Sequence, residues 1–273
     1  MTDASLQGRV VLITGGSRGL GREMALALAE AGARVAITGA SASDALQATR
    51  AELAALVGEA NVLALVSDVS NASQAQAAVT DTVAAFGRID VLVNNAGLGM
   101  RLISETFNTQ PTKFWEADAG AWSDIVATNV NGPFLAAKAA APIMVAQGFG
   151  KIINVSTSAI TMIRKGYAPY GPTKAFLEAA SRVWAADLEG TGVDVNVLLP
   201  GGATDTDLLP PSPNKRGADG NLLSPDIMRA PVLWLASDAS NGVTGGRFIS
   251  RHWPDEGAPG DARDDHGTPP QIM

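Results

Sequence analysis

The sequence predicts one α/β domain built on a parallel sheet, and two observations carry that prediction. Apolar runs of strand length, rich in Val, Ile and Leu on both faces, alternate with longer helical runs along most of the chain. The composition suits the same design: 46% of residues are apolar and only 5% aromatic, with 29 glycines, as expected of helices packed closely on a sheet and joined by tight turns. A chain of 273 residues holds one substantial core or two small ones. No internal linker and no solenoid period divides it, so the reading is one domain, residues 1–253, followed by a polar tail, 254–273.

The first element is the apolar run 10–14, VVLIT, a strand that ends in GGSRGLG. REMALALAEAG, 22–32, follows as a helix with one apolar face and Gly32 at its end. Strand 33–40 and helix 43–58 form the next unit, and strand 61–69 with helix 71–86, closed by Gly87, the third. Strand 89–97 leads into an irregular segment, 98–118, and then a long helix from about Ala121 to Ala146, with Pro133 and Pro142 as its expected irregularities. Strand 150–157, helix 175–190 and strand 193–202 come next. The polar segment 205–224, with three prolines, reads as a loop or flap, before a helix at 227–237 and a last strand at 244–250. GYAPYGPTK, 166–174, fits neither period, because its prolines and glycines make a poor helix start.

Charge and residue usage exclude several functions. The net charge is −7 and no basic stretch is longer than Arg164-Lys165, which leaves no footprint for nucleic acid and argues against an anionic membrane surface. Cysteine is absent, so disulfides and cysteine catalysis are excluded. His252 and His266 stand without any Cys/His cluster, which argues against zinc. No apolar run has membrane-spanning length and MTDASLQGR carries no secretory core, so the expected location is cytoplasmic.

The glycines after the first strand point to a ligand. Gly15, Gly19 and Gly21 are spaced G-x-x-x-G-x-G between a strand and a helix, with Ser17, Arg18 and Leu20 between them. A phosphate needs close backbone approach and free N–H groups at a helix N-terminus, which this arrangement supplies; a tight turn without ligand would use the same glycines. An adenosine would then cross the ends of strands two and three, where Asp68, beside Val69, is placed to accept from the adenine amino group. Strand two ends in Gly39, Ala40 and Ser41, with no acid to pair with a ribose 2′-hydroxyl. That lack, and the guanidinium of Arg18, favour a 2′-phosphate and hence NADP, with NAD also tolerated.

Tyr170 and Lys174 stand at i,i+4 and share one face if a helix has begun by Tyr170. A phenol is a poor acid or base at neutral pH unless a nearby ammonium favours its phenolate. Hydride transfer to a ketone requires a proton donor of this kind. A surface lysine near a loop tyrosine would give the same spacing.

Together these stretches resemble the short-chain dehydrogenase/reductase family. The glycine pattern at 14–21, NNAG at 94–97, NVNG at 129–132, INVSTS at 153–158, YGPTK at 170–174 and PGG at 200–202 occur in that family's order and approximate spacing, over about residues 8–250. The resemblance implies a single doubly wound Rossmann-type domain with a central parallel sheet of about seven strands, assembled as a homodimer or homotetramer. It implies a nicotinamide cofactor and a small-molecule ketone or secondary alcohol. By resemblance Tyr170 donates the proton, and Lys174 holds the nicotinamide ribose and lowers the tyrosine pKa. Asn129 keeps a relay water near the lysine. Asn94, Asn95, Ala96 and Gly97 line the cofactor channel, and Pro200 and Gly201 border the nicotinamide. Tyr167 is a pocket wall or plain packing.

The family's serine stands thirteen residues before its tyrosine, which here is Thr157. Ser158 is one position on; the family's usual residue favours Ser158, and Thr157 stays open. The family's threonine for the nicotinamide carboxamide falls at Asp205, flanked by Thr204 and Thr206, of which Thr204 is taken as the cofactor contact. The segment 98–121 is longer than the family's usual connection; Phe107, Phe114 and Trp115 either close a substrate pocket or pack an extra surface turn. The ending GGRFISRHWPD also departs from the family and leaves subunit contacts there undefined. Two other readings remain: an epimerase or dehydratase drawing acid/base groups from Glu105, Glu116 or Asp118, and a nucleotide-binding protein without turnover.

Overall fold

A computed structural model describes residues 5–212, 215–217, 220–254 and 259. Seven strands alternate with helices: β1 (Val10–Ile13), α1 (Gly19–Glu30), β2 (Arg34–Gly39), α2 (Asp44–Val57), β3 (Val62–Val66), α3 (Ala72–Phe86), β4 (Val91–Asn94), α4 (Ala119–Val126), α5 (Gly132–Gln147), β5 (Gly150–Val155), α6 (Ala159–Met162), α7 (Tyr170–Asp187), β6 (Val193–Leu199), α8 (Arg229–Ala236) and β7 (Arg247–Ile249). They form one sheet in the order β3-β2-β1-β4-β5-β6-β7, with every pairing parallel. This is the doubly wound Rossmann-type architecture expected. The tail assigned to 254–273, with His266, lies almost wholly outside the described residues.

The central strands are buried on both faces, which explains their apolar runs, while the edge strand β3 is half-buried and leaves Val66 exposed. In β1, Val11 and Ile13 join a core with Met24 and Leu28 of α1 and Leu46 and Leu53 of α2. Val10 and Leu12 face the other way, against Val79 and Phe86 of α3 and Ala136, Ala140 and Met144 of α5. Side chains at Ser43, Asn71 and Asp118 cap α2, α3 and α4. Gly87 ends α3 in the left-handed conformation, with φ 84°.

Two expected boundaries move. The long helix from Ala121 to Ala146 is two helices, joined by a π-helical turn over Ala127–Asn131. Pro133 explains the break, since it has no N–H and is accommodated only in the first turn of α5. Pro142 is carried inside α5. In GYAPYGPTK, α7 begins within the stretch, at Tyr170, after a cis Ala168–Pro169 peptide. Pro172 falls in the first turn, where an N–H has no helical partner anyway. Gly171 is required there, because a Cβ would lie 2.5 Å from the Met162 carbonyl oxygen.

Parallel strands that reverse winding direction at β1 and β4 leave a crevice at their carboxyl ends. The segments after β1, β4, β5 and β6 all open toward it.

Candidate active site

The loop after β1 is strapped to the end of β4. Thr14 Oγ1 accepts from the backbone N–H groups of Asn95 and Ala96, both at 3.1 Å. The Asn95 amide donates to the carbonyls of Thr14 and Gly15 at 3.0 and 2.9 Å. Gly15 has φ +65°, and a Cβ there would lie 2.8 Å from Ala96 Cα. At Gly21 a Cβ would lie 2.2 Å from the Gly15 carbonyl oxygen. These two glycines therefore serve the loop's own packing, and Asn95 acts as a brace. Thr49 Oγ1 donates to the Ser17 carbonyl at 2.9 Å, tying the loop to α2 as well.

The loop hands the chain to α1 at Gly19. Arg18, at its N-cap, is extended and provides no side-chain cap, and the first turn carries no acid. The N–H groups of Gly19, Leu20 and Gly21 thus begin a twelve-residue helix with its positive end toward the crevice. A pyrophosphate fits this cradle.

The adenosine side is equally permissive. Gly39 ends β2 in a buried position, followed by exposed Ala40 and Ser41, so no carboxylate stands at the strand end. Asp68 Oδ1 accepts from Ser70 N–H at 2.9 Å and Ser70 Oγ at 2.7 Å. Val69 is a wall: it is buried, and a Cβ on Gly132 would lie 2.8 Å from its Cγ2. Arg18 is largely exposed and ion-paired with Asp207 at 3.4 Å.

The reactive cluster forms where β5, α7 and the π-helical turn meet. Lys174, buried on α7, donates to the Val155 carbonyl at 2.8 Å. Asn129, fully buried in the π-helical turn, grips Leu98 through both backbone groups, at 2.8 and 2.9 Å. It also donates to Thr173 Oγ1 at 3.2 Å, and Thr173 donates to the Tyr170 carbonyl at 2.6 Å. A Cβ on Gly97 would lie 3.2 Å from Asn129 Oδ1 and 3.8 Å from Lys174 Nζ, so Gly97 stands directly against the pair.

The Thr157 side chain lies close enough to the Tyr170 phenol to act on its protonation. Ser158 does not share that position. It is the N-cap of α6, with its hydroxyl engaged by Thr161 Oγ1 at 2.8 Å and Thr161 N–H at 3.3 Å. The structure therefore joins Thr157 to the tyrosine, and Ser158 belongs to a cap. Two other residues sit differently from expectation. Asn94 lies inside the sheet end, donating to Asn154 Oδ1 at 2.9 Å and to the Pro133 carbonyl at 3.3 Å. Thr204 is buried, with its hydroxyl on the Gly202 carbonyl at 3.3 Å. Its neighbour Thr206 faces the glycine loop instead, 3.1 Å from where a Gly19 Cβ would be. Pro200 and Gly201 follow β6, and Gly201 needs its freedom: φ is +90°, and a Cβ would lie 2.6 Å from Ile249 Cγ2.

Desolvation raises the Tyr170 pKa to about 12, against the downward pull of the Thr157 side chain, while Tyr167 adds to the rise. Lys174, expected to lower it, is not among these influences. Lys174 is itself pushed down to about 8 by burial, with Glu178 pulling it back up. Its folded pKa lies below its ordinary 10.5, so between those values the unfolded chain binds more protons and stability rises with pH. From pH 7 to pH 10 we expect a gain of about 2–3 kcal/mol in unfolding free energy that Lys174→Met lacks, read by urea denaturation. Lys151, buried and shifted downward by desolvation, acts in the same direction in both proteins and cancels in the comparison. Above pH 10 the raised Tyr170 reverses the trend.

On the substrate side, segment 98–118 closes onto the loop before α7. Thr112 Oγ1 donates to the Gly166 carbonyl at 2.9 Å, and buried Phe107 meets Tyr167 edge-on at 5.4 Å. Arg164 lies over the Tyr167 ring at 4.7 Å and donates to its hydroxyl at 3.2 Å. Phe114 and Trp115 pack on each other at the surface. The acids of the insert are engaged: Glu105 by Arg101, Glu116 by Lys113, and Asp118 in the cap of α4. No cluster of metal-ligating side chains occurs among the described residues, and no described helix is long and apolar enough to cross a membrane.

A family model described as short chain dehydrogenase matches residues 9–217. The chain is 36% identical to a 3-oxoacyl-[acyl-carrier-protein] reductase of Synechocystis sp., over 72% of this chain and 75% of that protein. It is 35% identical to the (2S)-[(R)-hydroxy(phenyl)methyl]succinyl-CoA dehydrogenase subunit of Thauera aromatica, over 88% and 94% of the two chains. Among solved structures, a short-chain type dehydrogenase/reductase from Mycobacterium marinum superposes with a TM-score of 0.78 at 31% identity, covering 90% of this chain and 95% of that one.

Proposed function

This chain belongs to the short-chain dehydrogenase/reductase family, and we propose that it transfers hydride between NADP(H) and a ketone or secondary alcohol, with reduction the favoured direction at neutral pH. The observation that carries this reading is the Tyr170 phenol, beside the Thr157 side chain and one helical turn from Lys174. When bound, the nicotinamide supplies or accepts the hydride. The chain's own residues do the rest. The α1 N-terminus and the Gly15–Gly21 loop bind pyrophosphate, and Asp68 faces the adenine. Thr157 orients the carbonyl, and Tyr170 holds the proton that the new alkoxide takes. Lys174 holds the ribose, Asn129 fixes the loop around it, and Thr206 takes the cofactor contact first assigned to Thr204.

The reaction is tested by absorbance at 340 nm with NADPH and then NADH, against aliphatic, alicyclic and aryl ketones. An acyl-carrier-protein substrate and an acyl-CoA substrate, the classes named for the two relatives, belong in that panel. Isomerisation or dehydration is less well supported, because the insert's acids are committed to Arg101, Lys113 and the α4 cap. We place the enzyme in the cytoplasm as a homodimer or homotetramer, which sedimentation of the purified protein tests.

The cofactor preference has its own test. A Cβ on Gly39 would lie 3.4 and 3.6 Å from Leu46 Cδ2 and Cδ1 and 3.6 Å from the Ser41 carbonyl oxygen, all ordinary contacts, so a side chain can start there without clash. Gly39→Asp is expected to lower kcat/KM for NADPH by ~10- to 100-fold through repulsion of the 2′-phosphate, and to favour NADH. Equal effects on both cofactors would sink the NADP reading.

A further inference from the structure

Behind the reactive cluster lies a buried ion pair that joins three elements. Arg247 opens β7, and its Nε donates to both carboxylate oxygens of Glu178 at 3.0 Å. Both side chains are largely buried. The same guanidinium donates through Nη2 to the Thr157 carbonyl at 3.0 Å. Glu178 lies one turn beyond Lys174 on α7 and is the acid that acts on its ammonium. One salt bridge therefore touches the peptide of Thr157, whose side chain acts on Tyr170, and the field around Lys174. A buried pair is costly unless its hydrogen-bonding capacity is filled, and this one fills it partly on Thr157.

We propose that Arg247 and Glu178 are positioning residues, holding the Thr157 peptide so that its hydroxyl meets Tyr170 and a substrate carbonyl. The inference rests on the carbonyl-reduction reading above. Neither side chain touches the reacting atoms. Arg247 acts through Thr157, and Glu178 acts by fixing Arg247 and facing Lys174. A pair that merely pinned α7 to β7 would affect stability and would act independently of what residue 157 carries.

The test is a double-mutant cycle on kcat for ketone reduction with NADPH. Arg247→Lys keeps the charge opposite Glu178 but lacks the fork that reaches both partners. It is expected to lower kcat by ~10- to 30-fold in the unsubstituted protein and by less than ~threefold in a Thr157→Val background, with KM for NADPH changed less than ~twofold. Glu178→Gln, run through the same cycle, is expected to show the same non-additivity and covers the case in which Arg247→Lys does not fold. Equal penalties in both backgrounds, or an unchanged kcat, overturn the positioning role. Tyr170→Phe separates the two readings. Turnover that is lost in it beside an additive cycle removes only the positioning pair; turnover that it retains, or that the unsubstituted protein lacks, removes the reading beneath it.

Discussion

Tyr170→Phe is expected to reduce ketone turnover by ~10²- to 10⁴-fold while NADPH affinity changes less than ~twofold. The substitution deletes one hydroxyl from a ring that otherwise stays where α7 places it. On the proposed reading, cofactor affinity is carried elsewhere, by the α1 N-terminus, the loop from Gly15 to Gly21 and Lys174. Stopped turnover with retained binding, measured by NADPH fluorescence titration, would isolate proton donation. A variant that kept more than about a tenth of the rate would show that another acid serves the alkoxide.

The same phenol sets the direction of the pH dependence. With its pKa raised to about 12 by burial, Tyr170 stays protonated through the neutral range and is ready to donate. Reduction should therefore be flat in pH until Lys174, at about 8, begins to lose its charge. Alcohol oxidation needs the phenolate, which at pH 8 is on the order of one part in ten thousand for a pKa of 12. Its rate should climb about tenfold per pH unit from pH 7 to pH 9. Oxidation that is flat over that window would mean that bound ligands bring the phenol's pKa down into it.

The sheet was legible because its central strands are covered on both faces, so that VVLI and VLVN stand out as short, largely apolar blocks without needing periodicity. The break between α4 and α5 was marked only by Pro133. Apolar spacing does not register a π-helical turn, yet that turn is what carries Asn129 to Leu98 and Thr173. Tyr170 and Lys174 were readable through helical spacing alone. Their protonation was not, because desolvation depends on what the fold packs around them. Thr204 and Thr206 could not be separated in an irregular loop where no period fixes which side chain faces Gly19. Arg247 was invisible for another reason: it reaches Glu178 across 69 positions of sequence and Thr157 across 90, and neither distance leaves a local pattern.

Thr157→Val and Ser158→Ala should separate by more than an order of magnitude in rate. Valine keeps the shape of threonine but removes the hydroxyl beside the Tyr170 phenol. It should lower kcat by ~10²-fold, the usual loss when one donor to a developing oxyanion is removed. Ser158→Ala removes the cap of α6 and its bonds to Thr161. That costs about 1 kcal/mol of local stability and leaves kcat within ~twofold. Family habit favours the serine, whereas the backbone favours the threonine. Arg247 holds the Thr157 carbonyl, and the φ of −67° and ψ of 147° at Ser158 turn its hydroxyl into the start of α6. For Ser158 to replace Thr157, α6 would have to give up its cap and the peptide would have to leave Arg247. If Ser158→Ala nonetheless proved the damaging change, the loop from 158 to 169 would have to rearrange when substrate binds. Thr161→Val, which removes one of the Ser158 hydroxyl's two partners, would then be expected to raise activity.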